Sequence, residues 1–203
     1  LGAAVSVVPF IWLVRSSFME MWQIFITPPE WIPRPWAWGN YPKALTSVPF
    51  ARYFLNTLQI VVGVLVGTVF TSSVAAFSFA RLRWKFRDAV FGVLLTTMML
   101  PYAVTLIPTF ILWSRLGAID TFVPLIAPAW FGSPFYIFLC RQFFMGIPYE
   151  LDEAAYMDGA SPFYVYWSVI LPLSKPALIV IGIFSFMSVW NDLLGPVLYL
   201  SDP

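Results

Sequence analysis

Long runs without charge alternate with short polar connections along this chain. Residues 53–80 carry no charge and end at the basic run "RLRWKFR". Residues 89–114 lie uncharged between Asp88 and Arg115, and 121–140 lie uncharged between Asp120 and Arg141. Residues 176–200 carry only Asp192, near their far end, and a shorter apolar stretch, 1–14, is closed by Arg15. A helix needs about 20 apolar residues to cross a hydrocarbon core roughly 30 Å thick. Lipid satisfies no backbone polar group, so a spanning segment is a helix or part of a closed barrel. The runs are continuously apolar and lack the dyad alternation of barrel strands. The pattern predicts an all-α, polytopic transmembrane helix bundle. Five spans are present, the first of them partial, in a single domain over 1–203.

Lys and Arg in short loops set orientation. Arg81, Arg83, Lys85 and Arg87 place the loop after the second span in the cytoplasm. Alternation then puts "RLGAID" outside and 141–175, with Arg141 and Lys175, inside. The connection 15–52 falls outside. It is rich in Trp and Pro ("TPPEWIPRPWAWGNYP"), as suits a segment along the outer interface, and its four positive charges are spread over a longer loop. Topology alone accounts for "RLRWKFR", with a lipid or nucleic-acid patch as the competing reading.

Composition agrees with a membrane protein. The chain is 60% hydrophobic, 19% aromatic and 10% charged, against about 25% charged in soluble domains. A net charge of +1 argues against a nucleic-acid partner. The single Cys140 excludes an internal disulfide, and with no His there is no Cys–His pair, so Cys140 reads as a small packed hydrophobe. No cofactor or metal site is expected. Leu1 opens inside an apolar run and Pro203 closes just after a span, so both ends read as cut. Pro101 and Pro108 interrupt the third span and Pro124, Pro128 and Pro134 the fourth. Each removes a backbone hydrogen bond. Ordinary kinks and irregular backbone around a pathway both remain open.

The stretch "GIPYELDEAAYMDGASPFYVYWSVILP", residues 146–172, concentrates acids and small residues between apolar segments. Pro148 suits a first helical position. Glu150, Asp152 and Glu153 follow where negative charge favours the helix dipole. Leu151, Ala154, Ala155 and Asp158 share a face. Gly159 can take the left-handed conformation that ends a helix, and Ser161 with Pro162 can start a second one, checked at Pro172. A helix, a tight turn and a second helix on the cytoplasmic side result. The unit is either a docking knob for a basic partner or a helix lying on the membrane.

This segment resembles the EAA motif of permease subunits in binding-protein-dependent ABC importers, E-A-A-x3-G-x9-I-x-L-P. Here it reads Glu153-Ala154-Ala155, Gly159, Val169 in the Ile position, Leu171 and Pro172. Further stretches resemble the carbohydrate branch, in particular the second maltose-type permease subunit: "PPEWIP…NYPKAL", "RYFLNTL", "LIPTFILWSRLGAIDT" and "WNDLLGPVLYL". The resemblance implies a type I ABC importer permease fold of six spans, with the sixth missing here. It implies a coupling segment, 146–172, that enters a groove on a cytoplasmic ATPase. In that segment Glu153, Ala154, Ala155, Asp158, Gly159, Leu171 and Pro172 would carry the contact. Glu153 would pair with a basic residue and Gly159 would set the turn. The implied partners are a second homologous permease subunit, two ABC ATPase subunits, an extracytoplasmic sugar-binding protein and membrane lipid. The implied location is the bacterial or archaeal inner membrane. Oligosaccharide, monosaccharide and glycerol-phosphate cargo are all compatible.

The chain has no G-x-x-x-x-G-K-[ST] loop, so ATP hydrolysis is expected in a separate subunit and this chain is not expected to be an enzyme. Asn56 and Gln59, early in the second span, and Asn191 and Asp192, near the end of the last, are candidates for a pathway or gate. Asp192 lies about 24 Å along its span at 1.5 Å per residue, close to the outer interface, where a bundle hydrogen bond would serve equally. The polar groups of "TVFTSSVAAFS" either pack helices or line a path. The rival class is an ion-gradient-driven carrier, which would need ionisable groups at mid-span depth. The second, third and fourth spans contain none. An intramembrane enzyme is disfavoured by the missing His and carboxylate pairs.

Overall fold

A computed structural model describes residues 2–201, and every regular element among them is helical. The chain divides into two units, residues 1–55 and 56–203. The first contains α1 (Gly2–Ser17), α2 (Met21–Ile24) and α3 (Asn40–Ser47). Buried polar groups knit the segment after α1. Gln23 is fully buried; its side-chain amide donates to the Arg34 carbonyl at 2.6 Å, and its Oε1 accepts from the Glu20 N–H at 2.8 Å. Asn40 donates to the carbonyls of Ser17 and Met19. Phe18 sits among Trp36, Trp38 and Tyr41, and Arg15 lies 4.2 Å over the Trp12 ring. The Trp- and Pro-rich connection is therefore folded upon itself.

The second unit is organised around α4 (Phe50–Arg81), 32 residues with no proline. It continues through α5 (Arg87–Thr97), α6 (Tyr102–Arg115) and α7 (Val123–Ile126). A 3-10 turn (Ala127–Phe131) then leads to α8 (Pro134–Met145). Next come α9 (Glu150–Met157), α10 (Pro162–Leu173), α11 (Lys175–Trp190) and α12 (Leu194–Tyr199). Two helical stretches, Phe50–Arg81 and Val123–Met145, are long and apolar enough to cross a membrane. Two bent pairs, α5 with α6 at 96° and α10 with α11 at 76°, could each serve as a broken span.

Prolines place some of these breaks and not others. Pro101 stands at the N-cap of α6, where the chain turns through the 96° bend, whereas Pro108 lies within α6 without ending it. Pro124 and Pro134 occupy the first turns of α7 and α8, where a missing N–H costs nothing. The run 176–200 is resolved as α11, a break at 191–193, and α12.

Association of helices in lipid relies on close packing, because lipid tails are as apolar as the side chains. The buried face of α4 supplies it with small and apolar residues, among them Val64, Gly67, Thr68, Ser72 and Ala76. A Cβ on Gly67 would fall 2.7 Å from the Trp130 indole nitrogen, and one on Gly63 would fall 2.9 Å from Ile126 Cγ2. Thr71 reinforces the same contact by donating to the Ala129 carbonyl at 3.1 Å. Nearer the C-terminal end of α4, Ala76, Phe77, Cys140, Phe144, Val165, Tyr166, Ile170 and Ile181 form the main buried cluster. Ser73 and Tyr166 share a 2.8 Å hydrogen bond within it.

Gly67→Val should therefore lower the thermal midpoint of the detergent-purified protein, by the 1–3 kcal/mol scale typical of overpacking. Gly92→Ala, where nothing lies within 4 Å of the added carbon and the site is inside α5, should not lower the midpoint. Equal shifts in a fluorescence melting experiment would contradict the packing assigned to Gly67.

Candidate functional site

Helix α8 ends at Met145, and four residues (146–149) carry the chain into α9, whose first turn holds Glu150, Asp152 and Glu153. Pro148 lies outside this helix, two residues before Glu150; its carbonyl accepts the Leu151 N–H at 3.4 Å. The three acids have different fates. Glu150 and Glu153 are exposed, while Asp152 is fully buried. Asp152 turns inward to Arg81, the last residue of α4, with Nη1 3.6 Å from its Oδ2. The Arg81 Nη2 donates to the carbonyls of Phe144 and Ile147, each at 2.7 Å. The Tyr149 ring centroid lies 5.8 Å from its guanidinium carbon.

One cation thus satisfies carbonyls left over at the end of α8 and faces the carboxylate at the start of α9. Burial pushes the Asp152 carboxyl above the usual carboxylate range, and the Arg81 charge opposes that shift without cancelling it. An acid shifted upward binds its proton more tightly folded than unfolded. Its contribution to stability therefore falls as pH rises from 3.8 towards the folded value.

The far end of α9 closes as the sequence signals suggest. Gly159 has φ +81°, its N–H bonds the Tyr156 carbonyl at 3.0 Å, and the Ala160 N–H bonds the Ala155 carbonyl at 2.9 Å. This pair of bonds is a Schellman closure, which needs a residue with positive φ where glycine sits. Ser161 then caps α10, its Oγ accepting the Tyr164 N–H at 3.3 Å, with Pro162 in the first turn. Within α10, residues Val165–Ile170 widen to a π-helix, and the Leu171 N–H reaches back five residues to the Tyr166 carbonyl. The widening falls in the turn before Pro172, which has no N–H to continue the ordinary ladder. The chain bends at Ser174, between α10 and α11, rather than at Pro172.

Leu151, Ala155, Asp158, Gly159, Ala160, Ser161, Tyr164 and Val169 line an open groove of about 690 Å³ between α9 and α10. Ala155, Ala160, Val169 and Leu171 pack on the main buried cluster, so the inner side of the turn is anchored to the bundle. Glu150, Glu153, Ala154, Asp158, Gly159 and Pro172 remain exposed. The surface so formed is negative and made of small residues, a shape and charge suited to a basic partner element.

The other candidates lie apart from this segment. Asn56 is half-buried and Gln59 exposed on α4. Asn191 bonds the Met187 carbonyl at 2.7 Å just past α11, and Asp192 Oδ1 accepts the Gly195 N–H at 3.0 Å just before α12. Both cap helix ends. Nearby, Asp120, at φ +64°, joins the Tyr199 carbonyl through its N–H and the Ser201 N–H through Oδ1. Sequence reasoning missed the roles of Arg81 and Asp152. In sequence Arg81 belongs to the topology-setting basic run and Asp152 to a set of three dipole charges, and neither pattern points to the other.

Apolar helices of spanning length, with a capped acidic helix–turn–helix inserted between α8 and α11, define a polytopic helical membrane protein. Residues 59–203 match the family described as binding-protein-dependent transport system inner membrane component. The chain is 30% identical over 203 residues to the diacetylchitobiose uptake system permease protein NgcG of Streptomyces coelicolor, covering all of this chain and 67% of that protein. It is 34% identical over 193 residues to the sn-glycerol-3-phosphate transport system permease protein UgpE of Pectobacterium atrosepticum, covering 92% of this chain and 68% of that one. A bacterial ABC transporter involved in the import of the acidic polysaccharide alginate has a chain that superposes with a TM-score of 0.87. The two are 25% identical over 98% of this chain and 70% of the other. The chain belongs to the family of binding-protein-dependent transport system inner membrane components, the permeases of ABC importers. It is a transport subunit and not an enzyme.

Removing one member of a buried ion pair strands the other, which costs about 3–5 kcal/mol, whereas replacing both by apolar residues is often neutral. Arg81→Met should therefore lower the thermal midpoint more than the double variant Arg81→Met/Asp152→Leu. Additive losses would show that the two side chains do not act as a pair.

Proposed function

We propose that this chain forms half of the translocation pathway of an ATP-driven importer for a carbohydrate or polyol. In this reading α9 and its glycine turn are the element that engages a cytoplasmic ATPase. The observation that carries it is the Schellman-closed helix, which presents Glu153, Ala154, Asp158 and Gly159 outward while Asp152 and Ala155 hold it to the bundle. An exposed acid on a short, rigidly terminated helix can pair with a basic residue in a groove. The small residues beside it allow that groove to approach the backbone.

The family implies an extracytoplasmic substrate-binding protein and ATPase subunits; in this reading there are two of the latter, and a second homologous permease completes the pathway. ATP-driven closure of the ATPase pair would press both coupling segments and switch the permeases between inward- and outward-facing states. The carbohydrate assignment rests on relatives and a structural neighbour whose names specify diacetylchitobiose, sn-glycerol-3-phosphate and alginate. All three are polyhydroxylated.

Gly159→Pro forces φ near −65° where +81° is required and deletes the donor to Tyr156. Wild-type protein purified from membranes should bring an ATP-binding subunit with it, and this variant should lose it. An intact, inserted wild type that retains no ATPase would instead favour an ion-gradient-driven carrier.

Glu153→Lys should leave insertion intact and reduce binding-protein-stimulated ATP hydrolysis by about tenfold or more, the scale of a lost interfacial charge pair. Wild-type stimulation in that variant would remove Glu153 from the contact.

A further inference from the structure

We propose that Arg81 is a positioning residue for transport, the strut that makes the cytoplasmic ends of α4 and α8 move with α9 as one body. The inference rests on the docking of α9 to an ATPase and adds how force applied there reaches the spans. A pushed helix transmits motion only to what holds it. On its N-terminal side α9 is joined to α8 by four connecting residues and to α4 by no nearby stretch of chain, yet all three helices converge on one guanidinium.

The geometry of that guanidinium suits a strut. Arg81 and Asp152 are 7% and 0% exposed, so neither water nor salt weakens the contact as it would at a surface. Arg81 Nη2 makes two 2.7 Å bonds to the Phe144 and Ile147 carbonyls, which fix the plane of the fork on the end of α8. Nη1 is left facing Asp152 Oδ2 at 3.6 Å. Neither Asp152 oxygen has a hydrogen-bond partner among the described residues. Beside the packing of Ala155 on the buried cluster, the polar attachment of α9 to this block is therefore the charge itself. An inward press on α9 can shorten the contact towards the 2.7–2.9 Å of a charge-assisted hydrogen bond. Moving α9 away would separate buried opposite charges. A lysine could supply the charge but not the fork, which holds two carbonyls and a carboxylate together.

The test uses the assembled importer in nanodiscs with spin labels at two exposed positions, Val74→Cys on α4 and Met157→Cys on α9. The inter-label distance is measured without nucleotide and after trapping with ATP and vanadate. In the otherwise wild-type protein the distance should be the same in both states. In Asp152→Asn and Arg81→Lys it should broaden or differ between states. The ATPase should still co-purify, and binding-protein-stimulated hydrolysis should fall roughly 2- to 30-fold, the range for residues along a coupling route. Asp152→Glu, which keeps the charge, should restore the single distance. A purely structural pair would lower stability without making the distance depend on nucleotide.

The proposal is overturned if the wild-type distance itself changes on trapping, or if Asp152→Asn and Arg81→Lys keep one distance and full stimulation. Loss of the ATPase from the labelled wild type would instead sink the docking reading, and the strut with it.

Discussion

A single buried guanidinium ties the end of α4 to the end of α8 and the start of α9. Arg81 ends the longest helix, α4, at the level where apolar spans give way to polar connections. Its two bonds to the end of α8 and its charge towards Asp152 decide where α9 begins and which way its first turn faces. With Asp152 turned inward, Glu150 and Glu153 are left outside, and the helix acquires a negative outer face and a neutralised inner one. The Schellman turn at Gly159 and the Ser161 cap then return the chain to the bundle through Val165, Tyr166 and Ile170. An acidic helix is thus displayed on a mount anchored to the buried cluster.

Two kinds of packing meet at this mount. Within the spans, close approach decides the arrangement, and Gly63 and Gly67 give Ile126 and Trp130 room against α4. Around the last turns of α4, polar groups leave water and are held in different ways. Ser73 with Tyr166 is a matched case, and Arg81 with Asp152 is the one held by charge. The remaining apolar surface of the second unit, including Val66, Phe70, Val93, Ile107 and Ile183, is exposed, as suits contact with lipid or another subunit.

Much of this was legible in the sequence because the controlling physics is local. Uninterrupted apolar runs can be little but helices in lipid. A glycine followed by Ser-Pro after an acidic, alanine-containing stretch marks the end of one helix and the start of another, and Gly159 and Ser161 do this. Arg81 and Asp152 were opaque for the opposite reason. The carbonyl partners of Arg81 lie 63 and 66 residues away in sequence and Asp152 lies farther still, and each charge already has a sufficient local explanation. The π-helical turn before Pro172 and the bend displaced to Ser174 escaped notice because both depend on how α10 seats against the buried cluster. Asn191 and Asp192 show the same ambiguity in reverse. Polar residues suspected of lining a path are engaged in capping helix ends.

The most direct measurement is an experimental structure of the assembled importer in a lipid nanodisc. The account predicts that α9 lies in a groove of the ATPase, with Glu153 against a basic side chain. Arg81 should remain bonded to the Phe144 and Ile147 carbonyls and face Asp152. An assembly in which α9 makes no contact with the ATPase, or in which Arg81 has left Asp152 while the helix is docked, would contradict it.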